Sequence, residues 1–394
     1  MLPAMLKFAK LIKVAKCIFM QGARNMRKVP INYLKPGMIV ARTVFSADGY
    51  VLLNSGVRIK QRYITQLENF SIQAVYIEDN LLPDVEVEDV ISEKTRVEAI
   101  KTVKDMLGNI KREANSGRCL VFPGEKLVHA VQDIIKDILS HKSLMVNLVD
   151  IRSTDSYTFG HSVNVTVLSI LTGIAMGLSQ NSLHHLGIGA IMHDVGKVMI
   201  PDEILNKPSS LTPEEYKIVK RHSEFGFSIL DKQSEISQLA KRIALEHHEK
   251  YDGTGYPFGL KGTEIHQFSQ IVGMADIFDA LTADRIYRKG FLPHEAYELL
   301  AGSGGKLFDY KLVKAFLSNI AAYPVGTIVK LNTGEIGLVV NTPKGLTTRP
   351  EVRVFFNQDC FVKEQYEVHL AENMTIAINE VITDEDFKKL KSVC

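Results

Sequence analysis

The feature that most constrains this chain of 394 residues is the segment 246–257, which reads EHHEKYDGTGYP. It places two adjacent histidines, His247 and His248, among carboxylates and directly before a glycine-rich turn. Neighbouring side chains on a helix point in different directions, so adjacent histidines can reach two metal ions but rarely share one. The segment predicts a helix end that carries ligands for a dinuclear metal site, followed by a substrate loop. A solvated helix end before an ordinary turn is the alternative, and the rest of the chain decides between them.

Further histidines and aspartates recur at helix ends or on helix faces between residues 144 and 322. We expect His161 to open a helix and His222 to lie on a helix opened by the sequence TPEE. An aspartate beside a histidine, as in Asp194 after His193, can bridge two ions. Nitrogen and carboxylate ligands suit Fe, Mn, Co or Zn, and two ions about 3.5–4 Å apart suit in-line hydrolysis of a phosphoester. The candidate ligands are His161, His193, Asp194, His222, His247, His248 and Asp276.

Cysteine spacing and charge exclude several other classes of protein. The four cysteines are far apart and form no CxxC pair, which argues against a thiolate zinc site and a disulfide framework. It also fits a reducing compartment. The net charge of +2 provides no global field that would favour nucleic acid. We therefore expect a cytoplasmic protein without a nucleic-acid partner.

Patterning predicts a central helical domain, residues 143–322, between two smaller modules. Short strands and turn signals over 29–80 indicate a small α/β regulatory module, and a second β pattern over 323–394 indicates a small β module with a polar tail. Residues 81–142 contain an acidic linker and two helices that pack on, or lead into, the main domain. The predicted fold class is multidomain, with an all-α centre flanked by an α/β and a β module.

The first segment, residues 1–28, is apolar but carries lysines from Lys7 to Lys16. A secretory signal would be uncharged there, so we exclude one. A basic amphipathic helix in peripheral contact with an anionic membrane is one alternative. The other is an over-called start codon, with translation beginning at Met26.

The motifs together resemble the HD-GYP subgroup of the HD-domain phosphohydrolases. Residues 193–197, HDVGK, are similar to the family's HDxGK segment, and residues 246–257 are similar to its HHExxDGxGYP segment. Residues 275–282 and 284–288, ADIFDALT and DRIYR, are similar to its last signature. The resemblance covers about residues 147–312, and it implies that the helical centre is an HD-type domain.

This resemblance implies hydrolysis of cyclic di-GMP to pGpG, and in some members on to GMP, through a metal-bridging hydroxide. It implies that the seven candidate ligands hold two divalent ions, Fe or Mn first, with Zn, Co and Ni as alternatives. It implies a catalytic role for Asp194 and for Lys197, which would neutralise the scissile phosphate. The residues that it implies for substrate binding are Gly255, Tyr256, Pro257, Asp279, Arg285 and Arg288.

Three positions depart from the family's pattern. Tyr157 stands where some members carry a glutamate that helps to bind a third metal, so we expect two ions and leave the second step to GMP open. Asn164 stands where many members have arginine, and Ile286 stands where proline is common. Neither of these two changes removes a candidate ligand.

The sequence leaves alternatives open for function and partners. One is a non-catalytic cyclic di-GMP sensor whose terminal β modules relay a signal, although the complete ligand set argues against it. Another is an HD phosphohydrolase for a different nucleotide, although the Gly-Tyr-Pro loop argues against it. That loop could instead contact a diguanylate cyclase domain, and the connecting helices could form a homodimer.

Overall fold

The computed structural model describes residues 26–31, 34–45, 51–70, 72, 74–78, 85, 90–115, 124–141, 157–283, 290–357 and 360–382. The described residues up to Val85 form one compact unit, and those from Val90 onward form a second. The basic segment before Met26 lies outside the described residues, so its membrane contact and the start site stay predictions. No helix among the described residues combines the length and apolar content that crossing a bilayer requires.

The first unit is a small α/β module. Its elements are β1 (Met26–Pro30), β2 (Val44–Phe45), β3 (Val51–Leu53), α1 (Gln61–Asn69) and β4 (Ala74–Glu78). Strand β1 pairs antiparallel with β4, and β2 pairs antiparallel with β3. Helix α1 buries Ile64 and Leu67 in one core with Val29 and Val75 of the strands. The predicted N-terminal α/β module is confirmed.

The second unit begins with helices, which run as far as Leu317. They are α2 (Glu93–Asn115), α3 (Gly124–Ser140), α4 (Tyr157–Ala175), α5 (Gln180–Met192), α6 (Asp202–Leu205), α7 (Pro213–Lys220), α8 (His222–Asp231), α9 (Gln238–Glu246), α10 (Gln267–Thr282), α11 (Pro293–Ala301) and α12 (Tyr310–Leu317). Side chains cap several first turns and satisfy backbone N–H groups there. Thr212 and Glu215 form a capping box at the start of α7, at the cap that the sequence predicts.

One apolar core joins all of these helices except α6 and α7, which bury no residue. Residues 161–173 of α4 are buried without interruption, which is typical of a helix in the centre of a domain. Helices α2 and α3 contribute Val103 and Ile134 to the same core, so both pack on the main domain. Polar side chains on α4 are therefore enclosed by the protein and need partners inside it.

Two helix boundaries differ from the sequence-based prediction. His161 does not open its helix, because α4 begins at Tyr157 and places His161 one turn inside. His222 does not lie on the helix that Thr212 caps, because α7 ends at Lys220 and His222 begins α8. Both boundaries fall beside polar residues that fit a helix interior and a helix end equally well.

A five-stranded antiparallel sheet follows the helices, with strand order β8-β7-β6-β5-β9. Its strands are β5 (Ile328–Leu331), β6 (Ile336–Asn341), β7 (Glu351–Asn357), β8 (Cys360–His369) and β9 (Ile378–Val381). A tight turn with Gly334 at a φ of 91° joins β5 to β6, which confirms the predicted hairpin. The sequence-based prediction missed β8 and β9, which are the edges of the sheet. Residues 364–367 of β8 are exposed and give a weak apolar signal.

Candidate metal centre

The helical domain brings all seven predicted ligands into one place. They form two groups, and within each group the potential ligand atoms lie within 4.8 Å of one another. The groups come from distant parts of the sequence that meet at the ends of α5 and α9, the start of α8, and the faces of α4 and α10. The first group is Asp194, His222, His247 and His248, and the second is His161, His193 and Asp276.

Two glycines allow the backbones that carry these ligands to touch. A Cβ atom on Gly196 would overlap the carbonyl oxygen of His222, and one on Gly273 would overlap the carbonyl oxygen of His247. Any larger residue at either position would push ligand-bearing segments apart. Gly273 was not among the predicted site residues, because an isolated glycine within a helical pattern shows nothing of what packs against it.

Hydrogen bonds fix the orientation of four of the histidine rings. Nδ1 of His193, His222 and His247 donates to the backbone carbonyl oxygen three residues earlier, at 2.7, 2.7 and 3.0 Å. Nδ1 of His161 donates instead to Oδ2 of Asp279 at 2.7 Å. A neutral ring that donates through Nδ1 keeps its lone pair on Nε2, which here faces the cluster. The rings of His193, His222 and His247 are therefore held in the tautomer that a metal ligand needs.

Asp194 lies between the two groups and directs one oxygen toward each. Its Oδ1 is 3.4 Å from Nε2 of His222 and 4.0 Å from Nε2 of His247. Its Oδ2 is 3.4 Å from Nε2 of His193 and 3.8 Å from Nε2 of His161. This is the geometry of a carboxylate that can bridge two cations.

Burial sets the protonation states of the first group. Burial lowers the pKa of His247 well below its ordinary value and lowers the pKa of His248 to about 3. Burial alone would raise the pKa of Asp194, but the ammonium of Lys197 and the ring of His193 hold it well below its usual range. The group thus offers neutral imidazoles and an ionised carboxylate, which are the forms that bind metals.

His161 differs from these histidines because carboxylates flank it. Burial alone would lower its pKa, but hydrogen bonds to Asp276 and Asp279 raise the pKa well above the ordinary value. Its Nε2 lies 3.2 Å from Oδ1 of Asp276. A cation held by these two side chains would take the place of the proton on Nε2, so metal binding at this position would release a proton.

The donor set fits a metal ion. Nε2 of His193 and Oδ1 of Asp194 are buried and have no hydrogen-bond partner among the described residues. A buried polar atom without a partner costs about 1–3 kcal/mol. A cation among the histidine and aspartate ligand atoms would satisfy both. Nitrogen and carboxylate ligands without thiolate suit Fe, Mn, Co or Zn.

The loop after α9 is fastened by Glu249, which is buried. Its carboxylate accepts hydrogen bonds from the backbone nitrogens of Phe258, at 2.7 Å, and Leu260, at 3.0 Å. A Cβ atom on Gly255 would overlap the backbone of Glu249, so glycine is needed where the loop turns back. The sequence-based prediction missed this structural use of Glu249.

Two tyrosines and a lysine lie beside the cluster. The ring of Tyr256 stacks on His248 at a centroid distance of 4.6 Å, and Pro257 follows it in a cis peptide bond. Nζ of Lys220 lies 5.0 Å from the ring centroid of Tyr256 and 4.8 Å from that of Tyr216. Sequence reasoning missed Lys220 and Tyr216, although Lys220 precedes the candidate ligand His222 by only two residues.

Asp279 lies behind His161. Besides accepting from His161, it accepts a hydrogen bond at its Oδ1 from Nδ2 of Asn164 at 3.0 Å, and the residue is only 6% exposed. Both oxygens are thus engaged inside the protein. This position differs from the substrate contact that the resemblance implied.

Three residues that carry other predictions cannot be placed. Arg285 and Arg288 belong to the segment 284–289, which lies outside the described residues. The backbone of Tyr157 begins α4, but its side chain also lies outside the description. The substrate contacts of the two arginines and the effect of Tyr157 on metal number stay predictions.

Comparison with known proteins matches two parts of the second unit. Residues 134–312 match a family model described as HD domain. Residues 328–390 match a model described as KOW domain associated with HD domain. The second match covers the whole five-stranded sheet, residues 328–381.

Several curated proteins are similar to parts of this chain. The cyclic di-GMP phosphodiesterase PA4108 of Pseudomonas aeruginosa is 37% identical over 227 residues, which cover 58% of this chain and 55% of that protein. A cyclic di-GMP phosphodiesterase of Thermotoga maritima is 43% identical, over 41% of this chain and 45% of that protein. The 3'3'-cGAMP-specific phosphodiesterase 2 of Vibrio cholerae is 34% identical, over 51% and 38%. The chain spans about half the length of the curated relatives it matches, or less.

Proposed function

Because residues 134–312 belong to the HD-domain family, we propose that this chain is a metal-dependent phosphodiesterase that hydrolyses cyclic di-GMP to pGpG. The observation that carries the proposal is the complete set of seven histidine and aspartate side chains, converging with Asp194 between two groups. Relatives named as cyclic di-GMP phosphodiesterases support the choice of substrate. Further hydrolysis to GMP is left open.

We propose two divalent ions in the site, with Fe or Mn ahead of Zn, Co and Ni. The support for two is that the oxygens of Asp194 face separate groups, each with its own histidines. When bound, such ions activate water and neutralise charge on a phosphate. The protein contributes histidine ligands whose rings are already oriented by hydrogen bonds.

Lys197 is the side chain best placed to meet the phosphate that is cleaved. Its Nζ lies 2.5 Å from Oδ2 of Asp194, and its side chain is 31% exposed. An ammonium there keeps the carboxylate ionised and still has hydrogens to donate to a phosphate oxygen. A positive charge held beside the reacting phosphate stabilises the charge that develops in the transition state.

The loop beside the cluster supplies the proposed substrate surface. Tyr256, between Gly255 and Pro257, places an aromatic ring directly on His248. A cyclic dinucleotide carries a second phosphate, which needs a further cation. Lys220, held between two tyrosine rings, provides one at this edge, and Arg285 and Arg288 remain proposed contacts.

We assign Asp279 a positioning role rather than substrate contact. Its carboxylate accepts a hydrogen bond from Nδ1 of His161, so Nε2 of that ring is the atom that faces the cluster. Carboxylates that accept from a metal-ligating histidine fix its tautomer and raise its basicity. Asp279 would thus influence catalysis only through His161.

A different cyclic dinucleotide is the second candidate substrate. The observation that favours it is the similarity to a protein named as specific for 3'3'-cGAMP. A non-catalytic sensor is less well supported, because all seven candidate ligands are retained. The proposed homodimer, the contact with diguanylate cyclase domains and the bacterial cytoplasmic location stay predictions.

The proposal is tested with anaerobically purified full-length protein. Elemental analysis would first give the metal content, and the same sample would be loaded with Fe(II) or Mn(II). It would then be incubated with cyclic di-GMP, 3'3'-cGAMP and cyclic di-AMP separately. We expect pGpG as the main product of the first incubation. Absence of pGpG with either metal would overturn the proposal, and faster cleavage of 3'3'-cGAMP would favour the second candidate.

A further inference from the structure

We propose that Arg96, on α2, is a positioning residue for the metal centre, which it reaches through Asn164 and Asp279. Nη1 of Arg96 donates to Oδ1 of Asn164 at 3.3 Å, and Nδ2 of Asn164 donates to Oδ1 of Asp279 at 3.0 Å. Oδ2 of Asp279 accepts from Nδ1 of His161, whose Nε2 faces Asp276. A continuous hydrogen-bonded chain thus joins α2 to a candidate ligand.

The chemistry of the partners fixes the direction of this chain. A guanidinium only donates hydrogen bonds and an ionised carboxylate only accepts them. The amide of Asn164 must therefore turn its oxygen to Arg96 and its nitrogen to Asp279. The reversed amide would oppose donor to donor and acceptor to acceptor. Arg96 thus holds Asn164 in the one orientation in which it can donate to Asp279.

Because these side chains are buried, the carboxylate of Asp279 depends on its partners inside the protein. Arg96, Asn164, Asp279 and His161 are between 5% and 8% exposed. A buried carboxylate is stable only when paired or hydrogen-bonded. Arg96 places a positive charge near Asp279, and the amide of Asn164 lies between the two. Asp279, held by Asn164, in turn accepts from Nδ1 of His161 and fixes the orientation of that ring.

The helix that carries Arg96 is anchored at the first turn. The backbone nitrogen of Ser92 donates to Oδ2 of Asp137 on α3 at 2.9 Å, and the Ser92 hydroxyl caps the nitrogen of Thr95 at 3.2 Å. Toward the other end, Nζ of Lys111 lies 2.7 Å from Oδ1 of Asp202. The two first-turn contacts hold the backbone of Arg96 against the domain, whereas the exposed Lys111 pair adds little. Arg96 lies outside residues 134–312, so the matched region does not contain the whole chain of contacts.

The test measures metal binding, with Arg96→Met as the main variant and Lys111→Met, at the exposed end of the same helix, as the matched control. Affinity for Mn(II) would be measured by chelator competition on the full chain, and stoichiometry by elemental analysis. We expect Arg96→Met to lower the affinity for one of the two ions about 10- to 100-fold. Lys111→Met should stay within about twofold, because exposed ion pairs contribute little.

Further variants separate positioning from simple stability. Asn164→Leu should lower the affinity for the same ion. The double variant, Arg96→Met with Asn164→Leu, should bind that ion no more weakly than either single variant, because both changes break the same series of hydrogen bonds. Arg96→Lys, which keeps the charge, should recover part of the affinity. If Arg96→Met does not fold, Arg96→Lys and Asn164→Leu still give the answer.

The role of Arg96 in catalysis rests on the proposed function, but its role in metal binding is tested separately from that function. Wild-type affinity in Arg96→Met and Asn164→Leu, with only a lower unfolding temperature, would overturn the inference. A wild-type chain that binds no Mn(II) would overturn it too. A chain that binds the metal, loses it in Arg96→Met and never produces pGpG would leave the inference standing and remove the proposed activity.

Discussion

The phenol ring of Tyr256 stacks on the imidazole of His248, with centroids 4.6 Å apart and planes inclined by 26°. The loop therefore packs against a candidate ligand as well as forming the proposed surface for substrate. Movement of the loop and orientation of His248 are coupled, because withdrawing the tyrosine exposes one face of the imidazole.

Replacing Tyr256 by leucine should weaken metal binding and activity together. An aromatic pair contributes about 0.5–1.5 kcal/mol, so we expect metal affinity to fall by up to about tenfold. Tyr256→Phe keeps the stack and should keep the affinity, while losing any hydrogen bond from the hydroxyl to substrate. Chelator competition and initial rates on both variants check this. Equal metal affinity in the leucine and phenylalanine variants would refute the coupling.

Neutralising Asp194 should abolish turnover. Asp194→Asn keeps the shape but removes the charge that both groups share, so bound metal should fall and pGpG formation should drop at least about 10³-fold. Elemental analysis and product formation would be measured on the same sample. Asp202→Asn is the control, because that carboxylate is exposed and pairs with Lys111. Near-normal rates in Asp194→Asn would contradict the proposed role.

Alanine at two helical glycines should change stability in opposite directions. Gly273→Ala places a methyl group against the carbonyl oxygen of His247, and such overpacking costs about 1–3 kcal/mol. Gly108→Ala on α2 meets nothing within 4 Å, so it should stabilise by about 1 kcal/mol through helix propensity. Urea unfolding of both variants tests the pair. A stable Gly273→Ala variant with normal metal content would show that the backbones can separate freely.

The contact that anchors α2 should depend on pH. Burial alone would raise the pKa of Asp137, but hydrogen bonds from Thr95 and Ser92 lower it below the ordinary value of 3.8. A lowered folded-state pKa adds stability above the unfolded-state pKa, and this stability is lost as the pH falls below about 4. Asp137→Ala should therefore cost about 1 kcal/mol at pH 7, because the group is partly exposed, and progressively less in acid.

Urea unfolding between pH 7 and pH 3 would measure how much Asp137→Ala lowers the free energy of unfolding at each pH. Asp133→Ala, at an exposed position one turn earlier on α3, is the control and should be close to neutral at each pH. A penalty for Asp137→Ala that stays constant down to pH 3 would show that the carboxylate charge is not involved.

Lys220 should affect substrate binding and leave metal binding unchanged. Lys220→Met keeps the stem between the rings of Tyr216 and Tyr256 but removes the charge proposed to meet a phosphate. We expect KM for cyclic di-GMP to rise about tenfold, since a hydrogen bond to a charged group contributes about 1.5–3 kcal/mol. Lys217→Met, on an exposed part of α7, is the comparison. An unchanged KM would remove Lys220 from the substrate surface.

Most of the candidate ligands stand out in the sequence because they lie in short local motifs, as His193-Asp194 and His247-His248 do. The sequence does not reveal the chain of contacts behind them. Arg96 and Asn164 are 68 residues apart, and Asn164 and Asp279 are 115 apart. Periodicity records which face of a helix is buried, but it does not record which polar side chains meet inside the domain. The edge strands β8 and β9 escaped prediction because exposed residues weaken their apolar pattern.

Three candidate ligand histidines take their orientation from backbone carbonyl groups three residues earlier in the chain. Every residue has a carbonyl group, so this orientation does not depend on the identity of neighbouring side chains. Substitutions around His193, His222 and His247 can therefore accumulate without rotating the rings. Over evolutionary time, such a centre can stay constant while the surrounding loop and helix surfaces diverge toward different nucleotides.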